Sequence, residues 1–246
     1  MQNTFDFLRS DQLLTARNAL RSLLGVVRDE VRRDPLSQFA YSLISARTYD
    51  AVSVRAFENL RHIFPDWEKL AEADASLIED AICDVTYAER KASYLRAALR
   101  MIRSRVGRID LDFLADWSVE LSMRWLMALP GAGPKVAAAT LNFSTLRKRA
   151  FVVDTHVLRI LRRMGLVAQN ADISAACETA MASLPNFDAD DFYELHWLLK
   201  SLGQIICTHS APQCDACPLG AMCEKRMDEV RFRLLSGALS QTVPAA

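Results

Sequence analysis

The sequence has little punctuation. Only eight glycines and eight prolines occur in 246 residues, and no Pro/Gly/Ser-rich stretch divides the chain. A beads-on-a-string boundary is therefore not visible. No internal repeat is evident. No apolar run reaches the roughly 18 residues that a membrane-spanning helix needs, which argues against a membrane protein. The first residues, "MQNTFDFLRSDQLL", lack a basic stretch followed by an apolar one, so they do not read as a secretory signal. A reducing, cytoplasmic setting is the expectation, and disulfides are not expected there. Clean period-two strands are also missing. The short "AFVV" run is the best candidate and is too isolated to make a sheet.

Net charge is absent as well, with 30 basic and 30 acidic residues. The total argues neither for nor against nucleic acid, but the balance is local. Thr86 to Arg108 holds seven basic residues against Glu89, and Arg147 to Arg163 holds six against Asp154. Asp66 to Asp84 reverses this, with seven acids against Lys69. The basic stretches could face phosphates, although solvated helix faces would look the same.

Helical signals fill the rest. In "DPLSQFAYSLISA", Asp34 is placed to N-cap a helix with Pro35 at its first position. "SLIEDAI" offers a capping box of Ser76 and Glu79. "DTHVLRILRRMG" puts Val157, Leu158, Ile160, Leu161 and Met164 on one face, with Arg159, Arg162 and Arg163 largely off it, and Gly165 can close the helix. "DDFYELHWLLKSLGQIIC" is a further apolar helix. The chain reads as all-α with about ten helices, ending in a frayed tail.

Three features carry chemistry. The first is "LPGAGPKVA", Leu129 to Ala137. Gly131 and Gly133 can take positive φ or admit a close backbone, and Pro134 suits the first turn of a new helix. The result is helix, tight turn, helix, with main-chain N–H groups exposed at a helix N-terminus, which is an anion site. Any αα-hairpin could use glycine this way. Lys135 follows directly, where the helix N-terminus and apolar neighbours disfavour an ammonium and favour a nucleophilic amine. The second is Asp154 in "VVDTHV". It can N-cap the arginine-rich helix, and its carboxylate could also stabilise positive charge developing on a sugar. The third is a run of four cysteines, Cys207, Cys214, Cys217 and Cys223, spaced C-x6-C-x2-C-x5-C. Four thiolates suit either a tetrahedral zinc or an iron–sulfur cluster, and only one C-x2-C pair is present where zinc ribbons usually show two. His209 reads as a surface residue. Cys83 and Cys177 read as small buried hydrophobes.

Taken in order, "LPGAGPKVA", "VDTHV" and the four cysteines resemble the endonuclease III branch of the helix-hairpin-helix DNA glycosylases. The resemblance covers roughly Ser37 to Arg226. It implies a two-domain all-α fold flanking a DNA-binding cleft. Residues 33–148 would form a six-helix barrel domain with the hairpin. Residues 1–32 and 149–230 would form a discontinuous cluster domain, and 231–246 a tail. It implies a [4Fe-4S] cluster on the four cysteines, whose loop presents Lys225 and Arg226 to phosphate. It implies that Lys135 is the nucleophile and Asp154 its carboxylate partner. Leu129, Gly131, Gly133, Ser45, Arg47, Asp50, Thr155 and His156 would meet DNA.

The activity implied is removal of a damaged base, oxidised pyrimidine by default, from a flipped nucleotide. A Schiff base on the lysine and AP-lyase strand cleavage would follow. The partner would be duplex DNA with a damaged base or abasic site, bound by a monomer near the nucleoid if the source is bacterial. A monofunctional glycosylase for an atypical base and a non-enzymatic iron–sulfur DNA-binding module are the alternatives. Lys135 and Asp154 together argue against the last.

"SLISARTYD" departs from the family's "LLSAQ-x-x-D" by placing Arg47 where glutamine is usual, with Asp50 kept. "VTYAERKA" has Thr86 where a glycine is usual, and Tyr87 one position before the usual aromatic. A one-residue shift lies between Trp197 and Gly203. The first two departures fall at parts that read the lesion in the family, so an altered substrate choice with the same chemistry is expected.

Overall fold

A computed structural model describes residues 2–27 and 32–228, with side chains from residue 9 onward. The expected tail, 231–246, lies outside the described residues. Eleven α-helices are present among the described residues. They are α1 (Gln2–Leu24), α2 (Pro35–Ile44), α3 (Asp50–Ile63), α4 (Trp67–Glu72), α5 (Ala75–Ala81), α6 (Ala88–Val106), α7 (Val119–Met127), α8 (Pro134–Asn142), α9 (Thr155–Arg163), α10 (Ile173–Ser183) and α11 (Ala189–Ile205). Among these residues no strand forms. The only sheet-like pairing described is an isolated bridge between Arg33 and Ser144. Ala150 to Val153 are buried but lie outside any strand.

The chain divides into two compact units. The hairpin unit comprises Asp29–Val152 and Asp188–Phe192. The cysteine unit comprises Met1–Arg28, Val153–Phe187 and Tyr193–Ala246.

In the hairpin unit α8 packs against α2 and α7, and α2 also meets α3 and α6. Sequence explains the close fit. Every residue of α8 from Val136 to Asn142 is buried. Three consecutive alanines keep that helix thin enough to be covered on all sides. Helix α6 contributes Ala92, Leu95, Ala98, Leu99 and Ile102 to the same core. The short Asp188–Phe192 segment is held by polar and aromatic contacts. Asp190 pairs with Arg32 and Arg147, Asn142 Nδ2 donates to Ala189 O, and Phe192 packs on Phe151.

In the cysteine unit α10 packs on α1 and α9. Leu13, Ala16 and Leu20 of α1 are buried, as are Val157, Ile160 and Leu161 of α9 and Leu195, Leu198 and Leu199 of α11. Glu194 is buried yet fully engaged, accepting from Arg17 at 2.8 Å and from Arg21. A buried carboxylate is tolerated only with such partners.

Local signals mostly act where they stand. Asp34 caps α2 by accepting from Ser37 N, with Pro35 at the first position. Gly165, at φ 74°, follows the end of α9. The Ser76–Glu79 capping box does not form. Helix α5 begins at Ala75 with Asp74 at the N-cap, so Ser76 lies inside the helix. Asp74 takes the N-cap position without a side-chain cap hydrogen bond, and starting there adds two residues to the helix.

Candidate active site

The hairpin starts where α7 ends. Leu129, Pro130, Gly131 and Ala132 form a turn closed by Ala132 N donating to Leu129 O at 3.1 Å. Proline second and glycine third is the type II pattern, which needs positive φ at the third residue. Gly131 supplies it at φ 76°, and a Cβ there would lie 2.8 Å from Tyr94 Cβ. Conformation and space both demand glycine. Gly133 differs from expectation. It is the extended N-cap of α8, at φ −90° and ψ −178°. A Cβ on it would meet nothing within 4 Å. It takes neither positive φ nor a close intramolecular neighbour; it leaves open space in front of the α8 N-terminus. Leu129, expected at the DNA surface, is buried in the core, so only its main chain can face outward.

Lys135 is the second residue of α8 and is half-buried. Its Nζ donates a long contact of 3.5 Å to Ser45 Oγ. Ser45 closes α2, and its hydroxyl donates to Ser42 O at 3.2 Å. Arg47 follows in the left-handed region at φ 57°, then exposed Tyr49, which precedes Asp50 in the first turn of α3. Tyr87, at the N-cap of α6, is also left-handed at φ 60° and exposed. These two loops are tied together. Thr86 N donates to Thr48 Oγ1 at 3.1 Å, and so does Lys91 Nζ at 3.0 Å.

Lys91 is a functional candidate that sequence reading missed. It is only 7% exposed. Burial, with the charge of Lys135 second, pushes its ammonium down to about 8. The signal was present: Lys91 falls on the stripe of α6 that otherwise reads Leu95, Ala98 and Ile102.

Asp154 belongs to the cysteine unit. It caps α9, with Oδ1 accepting from His156 N and Val157 N at 2.8 Å each. Burial pushes its carboxyl up. The charge of His196, the Val157 N–H and the charges of His156 and Lys200 outweigh this and hold it below the usual carboxylate range. His196 and Lys200, both buried on α11, were not singled out from sequence. Thr155 is exposed at the start of α9 and His156 half-buried. A Cβ on Gly203 would stand 2.8 Å from His156 Cβ, so this glycine lets α11 approach α9 closely.

The four cysteines wrap one cavity, also lined by Arg163, Ile206, Pro212, Gln213, Gly220, Lys225 and Arg226, with about 300 Å3 free of protein atoms, part of it open to solvent. Arg163 is laced into the loop. Its Nη1 donates to Cys207 Sγ at 3.2 Å and Thr208 O at 2.7 Å, and its Nη2 to His209 O at 2.9 Å. Burial, then the neighbouring thiols, push the Cys217 thiol up despite the Leu219 N–H. Among the described residues no three His, Cys, Asp or Glu side chains converge on a single-ion position. His209 is exposed, as expected. Cys83, expected to be buried, is exposed. Its neighbour Ile82 takes the core position instead. Cys177 is half-buried, 3.6 Å from Met181 Sδ.

Comparison with known proteins shows the family and the fold. The family described as HhH-GPD superfamily base excision DNA repair protein matches residues 40–185. Endonuclease III from Sulfolobus acidocaldarius is 26% identical over 229 residues, 92% of this chain and 91% of that protein. Endonuclease III homolog 1, chloroplastic, from Arabidopsis thaliana is 30% identical over 194 residues, 76% of this chain and 48% of that protein. The chain thus spans about half the length of the chloroplast relative. Among solved structures, a trapped endonuclease III–DNA covalent intermediate (estranged-adenine complex) superposes with a TM-score of 0.75 at 20% identity, covering 90% of this chain and 98% of that one. The all-α fold is therefore that of endonuclease III. Among the described residues no helix is long and apolar enough to cross a membrane.

Proposed function

The chain belongs to the HhH-GPD superfamily of base excision DNA repair proteins, and from that premise we propose that it is a DNA glycosylase with AP-lyase activity. The observation that carries the reading is Lys135. It is half-buried just inside the N-terminus of α8 and against Ser45. Phosphate gripping by the main chain does not require both this amine and the Asp154 carboxylate.

The main-chain N–H groups at the start of α8, with open space before Gly133, are suited to a DNA phosphate. The target nucleotide is read out of the stack, since its glycosidic bond is shielded within the duplex. The Lys135 amine attacks the anomeric carbon. A C–N bond forms to lysine, and the glycosidic bond breaks with its electron pair leaving on the base, which takes a proton. Ring opening gives a protonated Schiff base. Loss of a C2′ proton then expels the 3′ phosphate by β-elimination. Asp154 acts as a fixed negative charge. A carboxylate held below its usual range is a poor base but a good stabiliser of positive charge at the sugar.

Cys207, Cys214, Cys217 and Cys223 would hold a [4Fe-4S] cluster. The fit rests on the donor set, four thiols around one cavity. When bound, the cluster would supply a four-point cross-link that fixes the loop bearing Lys225 and Arg226. Oxidised pyrimidine is the default substrate. Arg47 and Tyr87 shift the choice, because they stand on the two loops that depart from the endonuclease III pattern.

Borohydride trapping on duplex DNA with one abasic site tests the proposal. A covalent adduct in the wild type that disappears in Lys135→Ala supports it. Base release without an adduct points to a monofunctional glycosylase. Binding without either reaction overturns the enzymatic reading.

A further inference from the structure

Lys91 is a buried ammonium with all three of its protons committed. Its Nζ donates to Ile44 O at 2.6 Å, to Ala46 O at 2.6 Å and to Thr48 Oγ1 at 3.0 Å. An ammonium has three donors and no acceptor, so nothing is left for a substrate. What it holds is informative. Ile44 O and Ala46 O are the carbonyls on either side of Ser45, at the C-terminal end of α2, where a helix leaves its carbonyls unsatisfied. Clamping both fixes the backbone of Ser45 between them. The Ser45 hydroxyl has a single proton, and it goes to Ser42 O. Toward Lys135 Nζ, at 3.5 Å, Ser45 Oγ can therefore only accept.

This matters for a nucleophile. A neutral amine attacks with its lone pair. A hydroxyl that donated to that nitrogen would occupy the pair; one that only accepts holds an N–H and leaves it open. Lys91 is also the like-charged neighbour of Lys135. A second cation nearby is a recognised way to favour the free amine of a lysine nucleophile.

We propose that Lys91 is a positioning residue for Lys135, clamping the carbonyls that flank Ser45 so that the Ser45 hydroxyl steers the amine without blocking its lone pair. The inference rests on Lys135 being the nucleophile. A role confined to loop stability would also explain the hydrogen bonds, and the test separates the two.

The experiment is single-turnover borohydride trapping by the full, cluster-loaded chain on an abasic-site duplex, with DNA affinity measured in parallel. Lys91→Met is expected to slow trapping by roughly 10- to 100-fold, the range for a misplaced reacting group, at unchanged DNA affinity. Lys91→Arg, which can still donate to the carbonyls, recovers part of the rate. Ser45→Ala slows trapping too, and the double variant K91M/S45A is no slower than the slower single, because both act through one hydroxyl. Wild-type trapping by K91M overturns the proposal. So does a loss confined to DNA affinity, or losses that multiply in the double variant. If K91M does not fold, Lys91→Gln replaces it and is read the same way, alone and in the double variant with S45A. If the wild type itself forms no adduct, the nucleophile reading fails first, and this inference falls with it.

Discussion

Among the left-handed positions of the hairpin unit, the turn before α8 and the loops carrying Arg47 and Tyr87 differ in kind. In the turn before α8 the residue is Gly131, for which positive φ carries no steric penalty. In the loops at the starts of α3 and α6 the residues are Arg47 and Tyr87. For side-chain-bearing residues this region costs about 1–2 kcal/mol each. The turn needs only a backbone shape, so it takes the residue without a side chain. The two loops need the same kind of shape and also a long side chain displayed to solvent. Arg147 is left-handed too, but its side chain is tied to Asp190; at Arg47 and Tyr87 the side chain is exposed, and such outliers point to function. In the proposed reading the first region offers backbone to a phosphate, and the second offers side chains to the base.

The largest effect should come from breaking the glycine turn. Gly131→Ala puts a methyl 2.8 Å from the near end of the Tyr94 side chain, and at φ 76°. The near end cannot swing away, so α6 or the turn must shift. Overpacking and left-handed strain together should cost about 2–4 kcal/mol, read as a lower urea midpoint with loss of trapping. Gly133→Ala is the control within the same motif. Its backbone is extended and its Cβ meets nothing, so stability should fall by no more than about 1 kcal/mol, the N-cap difference. Its methyl would stand in the space offered to a phosphate. DNA affinity should therefore drop while folding holds; equal DNA affinity would remove Gly133 from the phosphate site.

A second, smaller effect concerns Lys91, which fastens one of the strained loops. Its ammonium is held at about 8 in the fold against 10.5 for an unburied lysine. Between those values the folded chain has released the proton and the unfolded chain still binds it. Unfolding then takes up a proton, so this group makes stability rise with pH across that window. Below pH 8 both states are protonated and the slope vanishes. Relative to Lys91→Met, the wild type should gain on the order of 1–3 kcal/mol between pH 7.5 and pH 10. Parallel urea-melt curves for the two proteins would show that Lys91 is solvated.

The same residue shows what sequence can and cannot reveal. Asp34, Pro35, Asp154 and Gly165 were legible because caps act over one helical turn. The order of hairpin, aspartate and cysteines was legible because motif spacing is a property of the chain itself. Lys91 was not, because its partners lie 43 to 47 positions away. A lysine in an apolar stripe can be recognised in sequence, but what it clamps cannot. Gly133 and Ser76 failed for a related reason. Residue type permits a role, and a nearby residue can occupy the position: Gly131 took the positive φ, and Asp74 took the N-cap position of α5. Cys83 lost its expected burial because α5 ends at Ala81; Ile82 at the C-cap fills the core and Cys83 falls in the turn beyond it.

The smallest effect sharpens the opening contrast. Arg47→Gly and Tyr87→Gly relieve left-handed strain of about 1–2 kcal/mol but enlarge the unfolded ensemble by about 0.5–1 kcal/mol. Each should therefore shift stability by about 0–1.5 kcal/mol toward greater stability, despite deleting a large side chain. Nothing else should be lost from the core, since both side chains are exposed. Catalysis should respond in the opposite sense. Trapping on a preformed abasic site, where no base has to be chosen, should be little changed, whereas excision rates across a panel of damaged bases should lose their differences. If either variant were markedly destabilised, the left-handed residue would be holding the loop together and not displaying a side chain. If both kept the wild-type order of preferred bases, lesion choice would have to come from residues other than Arg47 and Tyr87.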